Sequence, residues 1–142
     1  MKNKKLNNFK LNIRVKLAGL WTALMLLYIY CDIYSTFRTG HLEEAIAGKM
    51  GPFDVSQITL AVFGMLMIVP IFMIPACLFL KANIVKLANI IIGIVYALVN
   101  IGNLVGETWL YYWIYGIFEL AATVCIIIFA FKWEKEECIH ND

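Results

Sequence analysis

The sequence predicts an all-α integral membrane protein, a four-helix transmembrane bundle with both termini in the cytoplasm. Composition is the first reason: 62% of the 142 residues are hydrophobic and 15% are charged, against roughly 45–50% and about 25% in soluble domains. A soluble domain of this size has too little interior to hide such an excess, which excludes a water-soluble enzyme. A chain this apolar is not intrinsically disordered either. Second, the apolar residues fall in four long runs. A bilayer core about 30 Å thick takes about 20 such residues per crossing, and runs that are continuously apolar, not alternating, exclude a closed β-barrel. Third, ten of the twelve lysines and arginines lie on one side of those runs, the side that the positive-inside rule assigns to the cytoplasm.

Taken in order, residues 1–15 form a basic cytoplasmic tail, and residues 16–131 a single transmembrane domain. The first span covers about 16–37. Its basic flank (Lys2, Lys4, Lys5, Lys10, Arg14, Lys16) and apolar core are shared with signal peptides. No small-x-small cleavage site follows, and the bulky Tyr30 before Cys31 is not a lipoprotein processing site, so the span is retained. The outer loop, 38–56, holds the only two outer cations, Arg38 and Lys49. Within it Leu42 and Ile46 stand at i, i+4 between two glycines, the spacing of a short amphipathic helix on the outer surface, which serves as a tight interface lid or as a plain connector. Gly48 stops that helix and Gly51-Pro52 turns the chain. The second span, about 57–80, would be about 36 Å long, enough to cross with some tilt. Pro70 and Pro75 kink it. The third and fourth spans cover about 85–105 and 109–131. The short turns near 81–84 and 106–108 predict that spans two, three and four are antiparallel neighbours. Residues 132–142 form a polar cytoplasmic tail.

Of the four cysteines, Cys31, Cys77 and Cys125 lie in apolar runs and read as buried small hydrophobes, and Cys138 as a free thiol in the tail. Trp21, Trp109, Trp113 and Trp133 read mainly as interfacial belt residues. His41 has no second histidine beside it in the loop and makes no metal site on its own.

The informative residues are polar ones inside the spans. Asp32 sits near the outer end of span one, and Glu119 about 15 Å below Trp109, near the bilayer middle. Asn89, Gly93, Tyr96, Asn100 and Asn103 are separated by three or four residues and share one face of span three. Trp21, Met25, Tyr28, Asp32 and Ser35 do the same in span one, and Tyr112, Gly116, Glu119 and Thr123 in span four. Packing these stripes together gives a polar core around Asp32, Asn100, Asn103 and Glu119, with Tyr28, Tyr96 and Tyr112 lining it. An intramembrane carboxylate costs roughly 2.5–3.5 kcal/mol to insert and commonly marks an ion or proton site. The structural alternative is interhelical hydrogen bonding, worth about 0.6 kcal/mol per contact on average, and the asparagines fit that role best.

The run Leu27-Tyr28-Ile29-Tyr30-Cys31-Asp32-Ile33-Tyr34 followed by Gly40-His41-Leu42-Glu43-Glu44, the Leu87-Ala88-Asn89-Ile90-Ile91-Ile92-Gly93 segment, Glu119 and the closing Lys132-Trp133 together resemble an uncharacterised family of short bacterial four-span membrane proteins. The resemblance runs from about Lys16 to Trp133, and Tyr-x-x-Asp followed by Gly-x-Leu-Glu-Glu is its most specific part. It implies four spans in a bacterial inner membrane and supplies no activity.

Three function classes follow from the residues. The first is a membrane protein whose carboxylate-lined core binds or moves a proton or small cation, as a homo-oligomer if it transports. The second is a non-catalytic accessory or sensor subunit docked on a membrane protein partner. The third is a membrane enzyme acting on lipid or quinone through Asp32 and Glu119. No G-x-S-x-G, H-E-x-x-H, C-x-x-C or Gly-rich phosphate loop is present, so no catalytic residue, metal or cofactor is assigned and no nucleic acid is expected. The bilayer is the one partner common to all three.

Overall fold

Helix α1 (Ile13–Ser35) begins where Asn12 accepts a hydrogen bond from the Arg14 N–H at 2.9 Å, an N-cap that starts the helix three residues before the apolar run. The computed structural model describes residues 11–133; the remaining tail residues, with Lys2, Lys4, Lys5, Lys10, Lys135 and Cys138, lie outside the described residues. After α1 come a short helix α2 (His41–Ile46) and a two-stranded hairpin, β1 (Lys49–Met50) with β2 (Phe53–Asp54). Three long helices follow: α3 (Gln57–Phe79), α4 (Ala82–Leu104) and α5 (Leu110–Phe131). Four helices, α1, α3, α4 and α5, are long and apolar enough to cross a membrane.

Local chemistry sets the boundaries. Ser56 caps α3 by accepting from the Thr59 N–H at 3.1 Å. Extended Leu80 and Lys81 alone separate α3 from α4, so α4 starts three residues before its expected beginning. Gly48 does stop α2: at φ 76° it adopts the left-handed backbone that glycine tolerates. Gly51 and Pro52 turn the hairpin, whose strands carry the paired Lys49 and Asp54 side chains. No residue of α2 is buried, so it does not pack on the bundle as a lid.

Helices α4 and α5 make the closest pair because each presents a glycine to the other. A Cβ on Gly93 would fall 2.9 Å from Ile127 Cγ1, and one on Gly116 2.5 Å from Leu104 Cδ2. Helix α1 packs between α3 and α5. Helices α3 and α4 touch least among the adjacent pairs, although two residues join them. The expected neighbours therefore do touch, but α3 and α4 only thinly. A short turn fixes direction and not closeness, and the glycine of α3, Gly64, meets nothing within 4 Å. Helix α3 buries only Pro70, Met73 and Cys77, all in its second half.

Basic side chains finish the two helices that end beside the chain termini. Arg14 donates to the carbonyls of Cys77 (3.4 Å), Leu78 (3.4 Å) and Leu80 (2.7 Å) and lies over the Trp133 ring. Lys86 donates to the Trp133 carbonyl at 2.7 Å. Each satisfies orphan carbonyls and meets the negative end of a helix dipole. At the opposite, loop end, Arg38 makes a two-pronged ion pair with Glu107 (2.9 and 3.1 Å) and stacks over Trp109. Burial opposes the charge on Glu107. The N–H groups of Trp109 and Thr108 and the Arg38 guanidinium outweigh it and hold the carboxyl below its ordinary range. This clasp ties the end of α1 to the α4–α5 turn.

Candidate functional site

The core is built from polar side chains on α1, α4 and α5. Nearest the chain termini, Trp21 donates its indole N–H to Asn89 Oδ1 at 2.8 Å, and the Asn89 amide donates to the Val85 carbonyl at 2.7 Å. Trp21 and Asn89 are both fully buried, so Trp21 is a core residue and not part of an interfacial belt. An indole carries one donor and a large apolar body, and such a group is stable inside a membrane bundle once that donor is matched.

One level further, the Tyr96 hydroxyl donates to the Leu66 carbonyl on α3. That carbonyl would ordinarily accept from the backbone four residues on, but Pro70 has no N–H to give. Tyr96 therefore closes the gap that Pro70 opens. Trp21 braces it edge-to-face, with ring centroids 6.0 Å apart.

Toward the loop end the Tyr28 hydroxyl donates to Asn100 Oδ1 at 2.6 Å. Asn100 Nδ2 is buried and has no hydrogen-bond partner. The contacts of Gly93 with Ile127 and of Gly116 with Leu104 fix the antiparallel register of α4 and α5, which puts Glu119 level with Asn100 and Ile101. Glu119 is 5% exposed, and no hydrogen bond or ion pair to its carboxyl is present among the described residues. Its backbone carbonyl accepts from the Thr123 hydroxyl at 3.0 Å. Tyr28, Cys31 and Tyr112 lie within electrostatic range of it. Tyr112, half-buried, stands nearly two turns along α5 on the same face.

Two expected core members are elsewhere. Asp32 is exposed, and Cys31 occupies the core in its place. The buried residues of α1 are Leu17, Ala18, Trp21, Leu24, Met25, Tyr28, Cys31 and Ser35, so the stripe that Ala18 and Met25 bury reaches the surface by Asp32, where the buried face narrows to Cys31 and Ser35. Asn103 is exposed as well. Its position on the α4 stripe goes to Leu104, which fills the space over Gly116. Cys125 is exposed too, on the apolar outer face of α5. Tyr28, Tyr96, Asn100 and Glu119 are thus brought into the core, Tyr112 lies at its edge, and Asp32 and Asn103 stay outside it. Sequence reasoning passed over the Arg38–Glu107 clasp. The signal available was an arginine just past one span and a glutamate in the tight turn between two others, both at the same end. Among the described residues no group of three or more histidine, cysteine, aspartate or glutamate side chains could hold a metal ion.

The arrangement is one nearly buried carboxyl and, at the same level of an apolar bundle, one free amide donor that is fully enclosed. It can hold a proton on the carboxyl, or accept a small polar guest between carboxyl and amide. Fold and core together define a small multi-pass membrane protein with a polar-cored four-helix bundle. The chain belongs to the DUF6326 family, a family of unknown function, whose model matches residues 4–140. No curated protein and no solved structure matches the chain.

Proposed function

We propose that this protein binds a proton or small cation at Glu119 and moves it through the polar core, in a bacterial inner membrane with both termini cytoplasmic. The observation that carries the reading is the unpartnered carboxyl of Glu119, buried level with the unpartnered amide of Asn100. An apolar side chain in place of Glu119 would spare the bundle the cost of inserting the carboxyl. Tyr28 and Asn100 act as positioning residues, and four spans are few enough that translocation calls for a homo-oligomer. The loop-end position of Arg38 and Lys49 and the tail-end position of Arg14, Lys81, Lys86 and Lys132 support the orientation. Labelling of Lys49→Cys by an impermeant thiol reagent on whole cells checks it, and protection of that site overturns it.

The test is proton and cation flux into liposomes carrying the purified protein, compared with Glu119→Gln, alongside labelling of Glu119 by a hydrophobic carbodiimide, which reacts with the protonated carboxyl. The expected result is flux that is lost in the variant, and labelling that falls as pH rises or as the transported cation is added. No flux from either protein, with no labelling of Glu119 at any pH, overturns the reading. A second reading, an accessory or sensor subunit, is favoured by Asp32 and Asn103, polar groups on the outer surface of the spans where another membrane protein would cover them. A stoichiometric second protein in the untreated membrane extract supports it.

A further inference from the structure

We infer that the loop-end half of α3 is a gate over the core, hinged at Pro70 and latched by the hydrogen bond from Tyr96 to the Leu66 carbonyl. This rests on the reading of Glu119 as the working group and supplies its route of access. Helix α3 divides sharply. No residue from Gln57 to Val69 is buried, whereas Pro70, Met73 and Cys77 are, and Arg14 pins the carbonyls at its far end. Its half nearest the chain termini is therefore fixed to the bundle, whereas its loop-end half is held lightly, by Leu66 and Met67 packed against the core next to Pro70. The division falls at Pro70, where the backbone has lost an internal hydrogen bond and bends most easily. Between α3 and α4 contacts are sparse, and Tyr96 is the side chain that bridges this seam opposite the hinge.

What lies behind the seam makes it a gate. Asn100, one turn along α4 from Tyr96 on the same face, is the residue with the unpartnered buried amide, and Glu119 stands at its level. Releasing Tyr96 frees the Leu66 carbonyl and lets the upper half of α3 swing from α4, which exposes that level to the loop side. Re-forming the bond closes it. No other hydrogen bond between a side chain and its neighbours has to break among the described residues, because α3 makes none across the seam above Leu66.

Nitroxide pairs attached through p-acetylphenylalanine test this without touching the native cysteines. One pair joins Val62 on α3 to Leu98 on α4, and a control pair joins Phe79 to Leu87. Tyr96→Phe is expected to broaden and lengthen the first distance distribution and leave the second unchanged. Glu119 should also label with carbodiimide about three- to tenfold faster, the ratio that loss of one interhelical hydrogen bond produces. Pro70→Ala returns an N–H to Leu66, so it should narrow the first distribution and make Tyr96→Phe silent in the double variant. If Tyr96→Phe does not fold, Pro70→Ala decides alone. A Val62–Leu98 distribution as narrow as the control and unmoved by both substitutions overturns the gate. If the distances respond but Glu119 neither labels nor supports flux, the gate stands and the proton reading fails. If labelling and flux are present but indifferent to Tyr96 and Pro70, the gate fails and the proton reading stands.

Discussion

Replacing Trp21 by phenylalanine separates a core tryptophan from an interfacial one by magnitude. At the interface the change would cost a few tenths of a kcal/mol. In this structure Trp21 is 0% exposed, its N–H is 2.8 Å from Asn89 Oδ1, and its ring meets Tyr96. Removing the pyrrole ring leaves a void worth about 1–2 kcal/mol in a site that relaxes partially. It also strips Asn89 Oδ1 of its indole partner and leaves only a long contact to the Cys77 thiol at 3.7 Å. Interhelical hydrogen bonds in membranes average about 0.6 kcal/mol and reach about 1.7, so the total for Trp21→Phe is about 2–3 kcal/mol. Asn89→Leu should cost about 1 kcal/mol, because the indole is then the group left unpaired. The double variant should recover the shared part, giving a coupling of about 0.6–1.7 kcal/mol. Equilibrium unfolding in mixed detergent–lipid micelles measures all four species. A coupling below about 0.3 kcal/mol, the scatter of independent sites, refutes the bond. A Trp21→Phe cost of only a few tenths refutes the burial.

Two further outcomes follow from the helix ends and the close helix pair. Glu107→Gln should destabilise the bundle by about 1–2 kcal/mol at neutral pH, and the difference from the parent should shrink on acidification. The sign follows from the carboxyl's lowered folded value: its contribution is complete above the ordinary value of 4.5 and is lost as the pH falls through the lower one. A gap between the two proteins that persists in acid contradicts the clasp. Gly116→Ala puts a methyl 2.5–3.1 Å from three atoms of Leu104 and should cost about 1–2 kcal/mol, the low end of overpacking, because a half-buried side chain at a helix end can swing aside. Leu104→Ala should relieve it, and Gly64→Ala, which meets nothing within 4 Å, should be harmless. Unfolding midpoints for the three variants check this.

What the sequence could show was whatever depends on one helix at a time. Four apolar runs of membrane length and the stripes on α1, α4 and α5 needed only composition and the helical period, and most stripe residues are buried. What it could not show depends on how helices meet. A face is tens of degrees wide, and Asp32 continues the stripe that Ala18 and Met25 bury, so the choice between Cys31 and Asp32 turns on how wide a face the neighbouring helices cover at the loop end. That is a property of its partners, and there the covered face takes in Cys31 and leaves Asp32 outside. On α4 the choice between Asn103 and Leu104 is settled by a glycine on α5. Trp21 has the same character, because a tryptophan near a span end suits either an interface or a core that supplies an acceptor, and the acceptor is on α4. The weak α3–α4 contact was likewise hidden, since a two-residue turn specifies antiparallel direction and says nothing of distance.

These corrections sharpen the functional question. With Asp32 and Asn103 outside, the core is no longer a pair of carboxylates that could share a proton or chelate a cation between them. It is a single acid beside an amide and a tyrosine already committed to that amide. A lone buried acid is poorly suited to holding a divalent cation, which wants six or more oxygen ligands or, if small, near-octahedral geometry. It is well suited to a proton, which needs one basic oxygen and an intermittent path to water. Of the two guests proposed for Glu119, a single acid suits the proton better. The path is left to α3, whose loop-end half puts no side chain into the polar core and whose backbone is broken at Pro70, about one turn from the level of the acid.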